Sequence, residues 1–219
     1  MNKLQEELQE WGKKVCKECR ALIKENKTDQ DFYVFQTELP EESPELLFVG
    51  INPGGSKRYS EYIAEKGKER ETIDDLVQGF NIYKCSDANN RQSSTLRRVE
   101  ILREYIENDR ITGINACYFN TKNERGLNKE IWDFCAPLTQ ELIEILNPRK
   151  IIFLFTDNKK LEWMGINSIE VVKAHVKRGT CQGREVFAIP NHGWQRSGSL
   201  YSNENAPKIS EILSEYLYF

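Results

Sequence analysis

The chain has 219 residues, 39% of them hydrophobic and 30% charged, with a net charge of −3. This content is sufficient for one compact domain with a substantial core, and no apolar run approaches the roughly 20 residues that cross a bilayer. The polar amino terminus lacks the basic and apolar regions of a signal peptide. We therefore expect a cytoplasmic, monomeric protein without a membrane partner. The net negative charge argues against a nucleic-acid partner, but only weakly. The local field at a binding face, and not the net charge, decides such binding.

Helical and strand patterns alternate along the chain. Apolar residues at helical spacing predict an amphipathic helix over 3–25, and the continuous apolar run 45–51 predicts a buried strand that ends in a tight Asn-Pro-Gly-Gly loop. The remaining predicted elements are, in chain order, a helix over 93–106, a strand over 111–119, a helix over 127–146, strands over 151–155, 171–174 and 185–189, and a helix over 206–217.

This alternation predicts the fold class. It favours a three-layer α/β/α arrangement with a mostly parallel central sheet of about four or five strands. No repeat or linker marks a boundary, so residues 1–219 should form one domain, with a helix within residues 1–26 packed on it. Ligands of such sheets bind beyond the carboxyl ends of the strands. The loops after residues 51, 119 and 189 are therefore the expected location of a site.

The first of these loops, residues 50–56 (GINPGGS), combines glycine and proline, which lets the backbone turn sharply and approach a ligand. It is neither a Walker loop nor a dinucleotide-binding loop. Asn52 should project into the crevice, where an amide can orient a water molecule. Taken alone, an Asn-Pro-Gly tripeptide is more often a plain turn.

Polar residues also mark the other two loops. Asn115 and Asn120 stand near the end of the second strand, and either amide offers a donor and an acceptor to a base edge. His192 follows the last strand and could stabilise negative charge on a leaving group. Taken alone, either asparagine could equally be a turn or edge residue, and a loop histidine is more often a surface or cap residue. Their occurrence together at three strand ends predicts a shared site.

At these positions the chain resembles the uracil-DNA glycosylase superfamily. LLFVGINPG (46–54) is similar to the first motif in its Gly-x-Asn-Pro-Gly form, which occurs in the single-strand-selective monofunctional and the mismatch-specific branches. The similarity continues through INAC (114–117) and FCAPLTQELIEILNPRKIIF (134–153). It ends at IPNHGWQR (189–196), which is similar to a His-Pro-Ser-Pro-Arg loop, and covers about residues 45–215.

The resemblance implies a uracil-DNA glycosylase-like fold and a monofunctional enzyme that removes uracil, or another damaged or modified pyrimidine, from single- or double-stranded DNA. It implies that Asn52 holds the attacking water, that Asn115 reads the flipped base and that His192 stabilises the departing anion. Further implied contacts with the substrate are those of Gly50, Ile51, Pro53 and Gly54, together with one stacking aromatic among Tyr59, Tyr62 and Phe80. The implied contacts with DNA are those of Ser56, Lys57, Gly193, Trp194 and Arg196, of which Trp194 or Arg196 would wedge into the duplex.

Two departures from the family pattern concern the substrate. Gly193, Trp194 and Gln195 replace the prolines and the small residue of the last motif, and residues 56–94 match no motif. A pyrimidine larger than uracil is therefore an alternative substrate.

Six cysteines in an intracellular chain predict reduced thiols or metal ligands. Cys16 and Cys19 have metal-ligand spacing, and the superfamily's iron–sulfur branch has such a pair followed by two later cysteines, to which Cys117 and Cys135 would correspond. Cys117 stands closer to Asn115 than in that branch, and cluster-free enzymes resemble the chain equally well there. We expect no cofactor or metal, and a [4Fe–4S] cluster on these four cysteines is the alternative.

Two other functions fit the same sequence. The fold could bind a nucleotide or DNA without catalysis if the loop at His192 has lost its activity, or it could act on free nucleosides.

Overall fold

One six-stranded sheet organises the protein. The computed structural model describes residues 2–78, 110–122, 126–173, 176–189 and 214–215. The strands are, in chain order, β1 (Leu46–Gly50), β2 (Ile111–Asn115), β3 (Lys150–Phe153), β4 (Asn167–Lys173), β5 (Val176–Cys181) and β6 (Arg184–Ala188). Their order across the sheet is β2-β1-β3-β6-β5-β4. The first four strands in this order run parallel, whereas β5 and β4 are antiparallel to their neighbours.

The helices of the described residues connect and cover these strands. They are α1 (Lys3–Lys24), α2 (Tyr59–Lys66), a short 3-10 helix (Ile73–Leu76), α3 (Lys129–Leu146) and α4 (Asn158–Trp163). None of them is both long and apolar enough to span a membrane. Side-chain caps begin the two long helices, since Asn2 accepts a hydrogen bond from Gln5 N–H and Asn128 accepts one from Ile131 N–H.

The predicted α/β class with a mostly parallel sheet is confirmed, and the expected count of four or five strands is wrong. The additional strand is β5, whose sequence VKRGTC lacks the continuous apolar run of β1 and β3. β2 is shorter than its predicted range of 111–119, because regular pairing with β1 ends at Asn115. The predicted helices over 93–106 and 206–217 lie outside the described residues, apart from Ser214 and Glu215, which are helical.

The central strands are buried on both faces, as their continuous apolar sequence requires. Leu47 and Val49 of β1 belong to the main core with α1 and α3. Phe48 points to the opposite face and is also fully buried. Its ring lies against Gly113 of β2, where a Cβ atom would come within 2.0 Å of Phe48 Cζ.

The carboxyl ends of the four parallel strands lie along one edge of the sheet. Gly50 at the end of β1 pairs with Asn115 at the end of β2, and Phe153 at the end of β3 pairs with Ala188 at the end of β6. Because β1 lies between β2 and β3, the chain crosses from one side of β1 to the other after β2. Such a topological switch point is where ligands bind in open α/β sheets. The loop that contains Asn52 begins at this point.

The packing of α1 against the 3-10 helix provides a test of the fold. A Cβ atom on Gly12 would lie 2.6 Å from Ile73 Cβ and 2.8 Å from Ile73 Cα, so these elements touch only because position 12 is glycine. Replacing a helical glycine with alanine normally stabilises by about 1 kcal/mol. We expect Gly12→Ala to lower the free energy of unfolding instead, by about 1–3 kcal/mol, because of overpacking. Urea denaturation measures this.

Lys13→Ala is the matched control, because Lys13 is the exposed neighbour on the same helix. Its unfolding free energy should stay within about 0.5 kcal/mol of the parent's. A Gly12→Ala protein as stable as the parent would contradict this packing.

Candidate functional site

Asn52 lies just beyond the end of β1, where two further hydrogen bonds extend the pairing with the chain after β2. Ala116 N–H donates to Gly50 O and Cys117 N–H donates to Ile51 O, both at 2.8 Å. The Asn52 carboxamide donates from Nδ2 to Thr121 Oγ1 at 2.9 Å and to Thr121 O at 3.3 Å. These bonds fix its direction, and no described residue donates to Asn52 Oδ1. The half-buried side chain can therefore offer an oriented acceptor to a water molecule.

The rest of the first loop is built for close backbone approach. Gly54 and Gly55 adopt φ angles of +70° and +90°, which side chains disfavour. Ser56 is exposed. Lys57 Nζ lies 2.5 Å from Glu65 Oε2, so a DNA phosphate would have to compete with this carboxylate.

Asn115, the predicted base-reading residue, is fully buried. Its Nδ2 donates to Val34 O at 3.3 Å, and its Oδ1 accepts a hydrogen bond from Gln36 Nε2 at 2.9 Å. The structure therefore brings the Asn115 backbone next to the end of β1, while its carboxamide is directed at protein partners. Gln36, a residue that the sequence analysis did not single out, stands beside it.

Asn120 combines burial with an unused acceptor. Its backbone N–H donates to Asp31 O at 2.8 Å, and its side-chain Oδ1 is buried without a hydrogen-bond donor among the described residues. An unsatisfied buried acceptor costs about 1–3 kcal/mol. A donor from a water molecule or a ligand would remove that cost. Asn120 also precedes Thr121, which holds the Asn52 amide.

The tyrosines proposed to stack on a base belong to a buried aromatic group. The ring of Tyr59 contacts Phe32 with a centroid separation of 5.4 Å and stacks on Tyr62 at 5.9 Å. The Tyr59 hydroxyl accepts a hydrogen bond from Arg70 N–H at 3.0 Å, and burial raises the pKa of Tyr59 to about 12. A base could stack on Tyr59 or Tyr62 only by displacing these partners. The third stacking candidate, Phe80, lies outside the described residues.

A buried ion pair joins the loops of the site. Arg70 Nε and Nη2 donate to the two carboxylate oxygens of Asp31, each at 2.9 Å, and both side chains are almost fully buried. The guanidinium lies 3.8 Å from the ring centroid of Tyr62 and 4.0 Å from that of Tyr33. The Asp31 backbone accepts from Asn120 N–H and donates to Lys57 O, so one residue connects the loops after β1 and β2.

The third loop begins at the same edge of the sheet. Ile189 N–H, one residue after β6, donates to Phe153 O at 2.8 Å. His192, Gly193, Trp194 and Arg196 lie outside the described residues. Their predicted roles stay predictions, and the position of Ile189 gives the point from which the loop starts.

The four cysteines considered as cluster ligands are all buried in the core. Burial raises the pKa of the thiols of Cys19 and Cys117 well above the usual value and that of Cys16 to about 12. Cys16 Sγ donates to Thr72 O at 3.4 Å. The described residues contain no group of three or more cysteine, histidine or acidic side chains that could hold a metal ion. Cys135 hydrogen-bonds to Cys117 and lies close enough to Cys19 to influence its pKa, so the [4Fe–4S] cluster stays an alternative prediction.

No protein-family model matches the chain, and no curated protein is significantly similar to it. The resemblance to uracil-DNA glycosylases therefore depends on the motif residues alone.

The buried Asp31–Arg70 ion pair should contribute to the free energy of unfolding. Removing the cation of a buried pair leaves an uncompensated charge, which costs about 3–5 kcal/mol. Arg70→Leu should destabilise by this amount in urea denaturation. The control is Arg58→Leu, because Arg58 and Asp29 form an exposed pair 3.3 Å apart that should contribute at most about 1 kcal/mol. Equal losses of stability in the two variants would show that the buried Asp31–Arg70 pair contributes no more than an exposed pair.

The buried hydroxyl of Tyr59 should make the free energy of unfolding depend on pH. At pH 8, Tyr59→Phe should be less stable than the parent by about 1–3 kcal/mol, because Arg70 N–H loses its acceptor. The folded pKa of about 12 exceeds the usual value of about 10, so the unfolded chain ionises first as pH rises. The parent should therefore lose stability relative to Tyr59→Phe between pH 10 and pH 12. Unfolding free energies of both proteins, measured across this pH range, test the prediction. A difference between them that does not change with pH would contradict a buried, neutral tyrosine.

Proposed function

We propose that this protein is a monofunctional DNA glycosylase of the uracil-DNA glycosylase type, with a three-layer fold. It would hydrolyse the N-glycosidic bond of uracil, or of a larger modified pyrimidine, and leave an abasic site in DNA. The observation that carries the proposal is the Asn52 carboxamide, which Thr121 orients at the topological switch point of the sheet. The motif in which Asn52 stands and the adjacent end of β2 at Asn115 support the same interpretation.

The chemistry follows from the weak basicity of an amide. The base would leave the stack at a cost of a few kcal/mol. Its bond to C1′ then breaks with both electrons passing to the base, which yields an oxocarbenium-like sugar and an anionic base. The water held by Asn52 Oδ1 adds to C1′ and loses its proton to solvent. Because the sugar is already electrophilic, an oriented water suffices and no strong base is needed.

His192 would stabilise the anionic base. β1 and β6 are separated only by β3, and strands lie about 4.8 Å apart, so the ends of β1 and β6 are about 10 Å apart. Three residues of extended chain span about 10 Å. His192 follows Ile189 by three residues and can therefore reach a base held near the end of β1. A hydrogen bond from its imidazole to a carbonyl oxygen of the base would disperse the developing charge.

The test uses single- and double-stranded oligonucleotides that contain uracil or a modified pyrimidine, with alkali to cleave abasic sites. Asn52→Ala should lower the rate of base release by about 10²-fold, because the water loses its orientation. His192→Ala should lower it by about 10²–10³-fold. Mass spectrometry of the released bases identifies the substrate.

Asn167→Ala is the matched control, since Asn167 is an exposed amide on β4, far along the sheet from the candidate site. It should retain the parent rate. Tight binding of these oligonucleotides without any abasic product would contradict the enzyme and favour the non-catalytic binding module. Activity on free nucleosides alone would favour the third function.

A further inference from the structure

Gln36 reaches across the ends of two strands. Its backbone N–H donates to Gly113 O at 2.8 Å, so the segment lies along the outer edge of β2. Its side chain extends to the end of β1, where a Cβ atom on Gly50 would lie 2.5 Å from Gln36 Nε2. The glycine at position 50 therefore makes room for the Gln36 amide, two residues before Asn52.

The direction of the Gln36 amide is determined by its donors. Nε2 donates to Ile114 O at 3.2 Å and to Asn115 Oδ1 at 2.9 Å, so both of its hydrogens are used. Gln36 can make additional hydrogen bonds only as an acceptor, through Oε1. No described residue donates to that oxygen.

The side chains of Gln36 and Asn115 differ in how much of their surface is exposed. Gln36 retains 6% of its surface, whereas Asn115 retains none and has both polar atoms of its side chain engaged. Of the two, only Gln36 keeps surface that a ligand could contact. Asn115 serves as the partner that holds the Gln36 amide in place.

We infer that Gln36 recognises the substrate base, through an Oε1 acceptor whose direction Asn115 and Ile114 set. This inference rests on the proposed function for the location of the base. A fixed acceptor selects a base edge that presents an N–H group, such as N3–H of uracil between its two carbonyl groups. Cytosine presents an acceptor at the same ring position, and an N3-methylated uracil presents none. Loss of one well-made contact of this kind should weaken binding by about 10–10²-fold.

The experiment measures binding separately from catalysis. Single-stranded oligonucleotides carry one 2′-fluoro-2′-deoxyuridine, whose fluorine resists oxocarbenium formation, or the same nucleotide methylated at N3. The parent protein should bind the unmethylated oligonucleotide at least about tenfold more tightly. Gln36→Leu should abolish this preference while binding both oligonucleotides with the weaker affinity. Gly50→Ala should have the same effect with Gln36 still present, because the new methyl group displaces the amide.

Gln140→Leu controls for the loss of a structural glutamine. Gln140 is half-buried on α3 and donates from Nε2 to Trp163 O at 2.9 Å, away from the strand ends, so the preference should be unchanged. Gln36→Glu is the second variant should Gln36→Leu fold poorly. It keeps an oxygen acceptor but turns a carboxylate toward Ile114 O and Asn115 Oδ1, so the preference should again be lost.

The outcomes separate this inference from the proposed function. Base release by the parent, combined with an N3-methyl preference that survives in Gln36→Leu and Gly50→Ala, would overturn the role of Gln36 and leave the glycosylase intact. A preference that depends on Gln36, without base release, would support the recognition residue and refute the glycosylase. A parent protein that does not distinguish the two oligonucleotides would overturn the inference.

Discussion

The buried ion pair between Asp31 and Arg70 is the constraint on which the candidate site depends. A charged pair this deep persists only when each charge is paired and hydrogen-bonded, and here the carboxylate and the guanidinium form two parallel bonds. The backbone of Asp31 bonds to Lys57 and Asn120. The loop that follows β1 and the loop that follows β2 are therefore held by one residue. Asn52 can meet Thr121 because both loops are fixed relative to each other.

Several polar side chains at this edge of the sheet are neutral amides with a set direction. Thr121 orients Asn52, Val34 and Gln36 engage Asn115, and Ile114 restrains Gln36. Burying an amide costs little when its hydrogen bonds are made, whereas a buried charge needs a counter-charge. An edge lined in this way suits a reaction in which the leaving group carries the charge. It also suits recognition of a base by the positions of donors and acceptors.

The candidate site lies at one part of the sheet, and the antiparallel strands lie at another. The parallel strands β2, β1, β3 and β6 bring their carboxyl ends to one edge, and the candidate residues follow those ends. β5 and β4 extend the sheet on the far side of β6 and carry exposed ion pairs, such as Arg178 with Glu170. They contribute hydrogen bonds and width to the sheet and none of the predicted site residues.

The sequence alone determined the elements whose signal is local. The apolar runs of β1 and β3 and the capped, amphipathic helices α1 and α3 could be located from pattern, and the turn after β1 placed Asn52 at a strand end. β5 was missed because it mixes charged and apolar residues in an antiparallel pair, where the continuous apolar run of a buried parallel strand is not required. Only the tertiary structure decided the partners, since Gln36 meets Asn115 across 79 residues and Asn52 meets Thr121 across 69. A pattern of residue types records which groups can donate or accept, but burial and the direction of each hydrogen bond arise only when distant segments pack together.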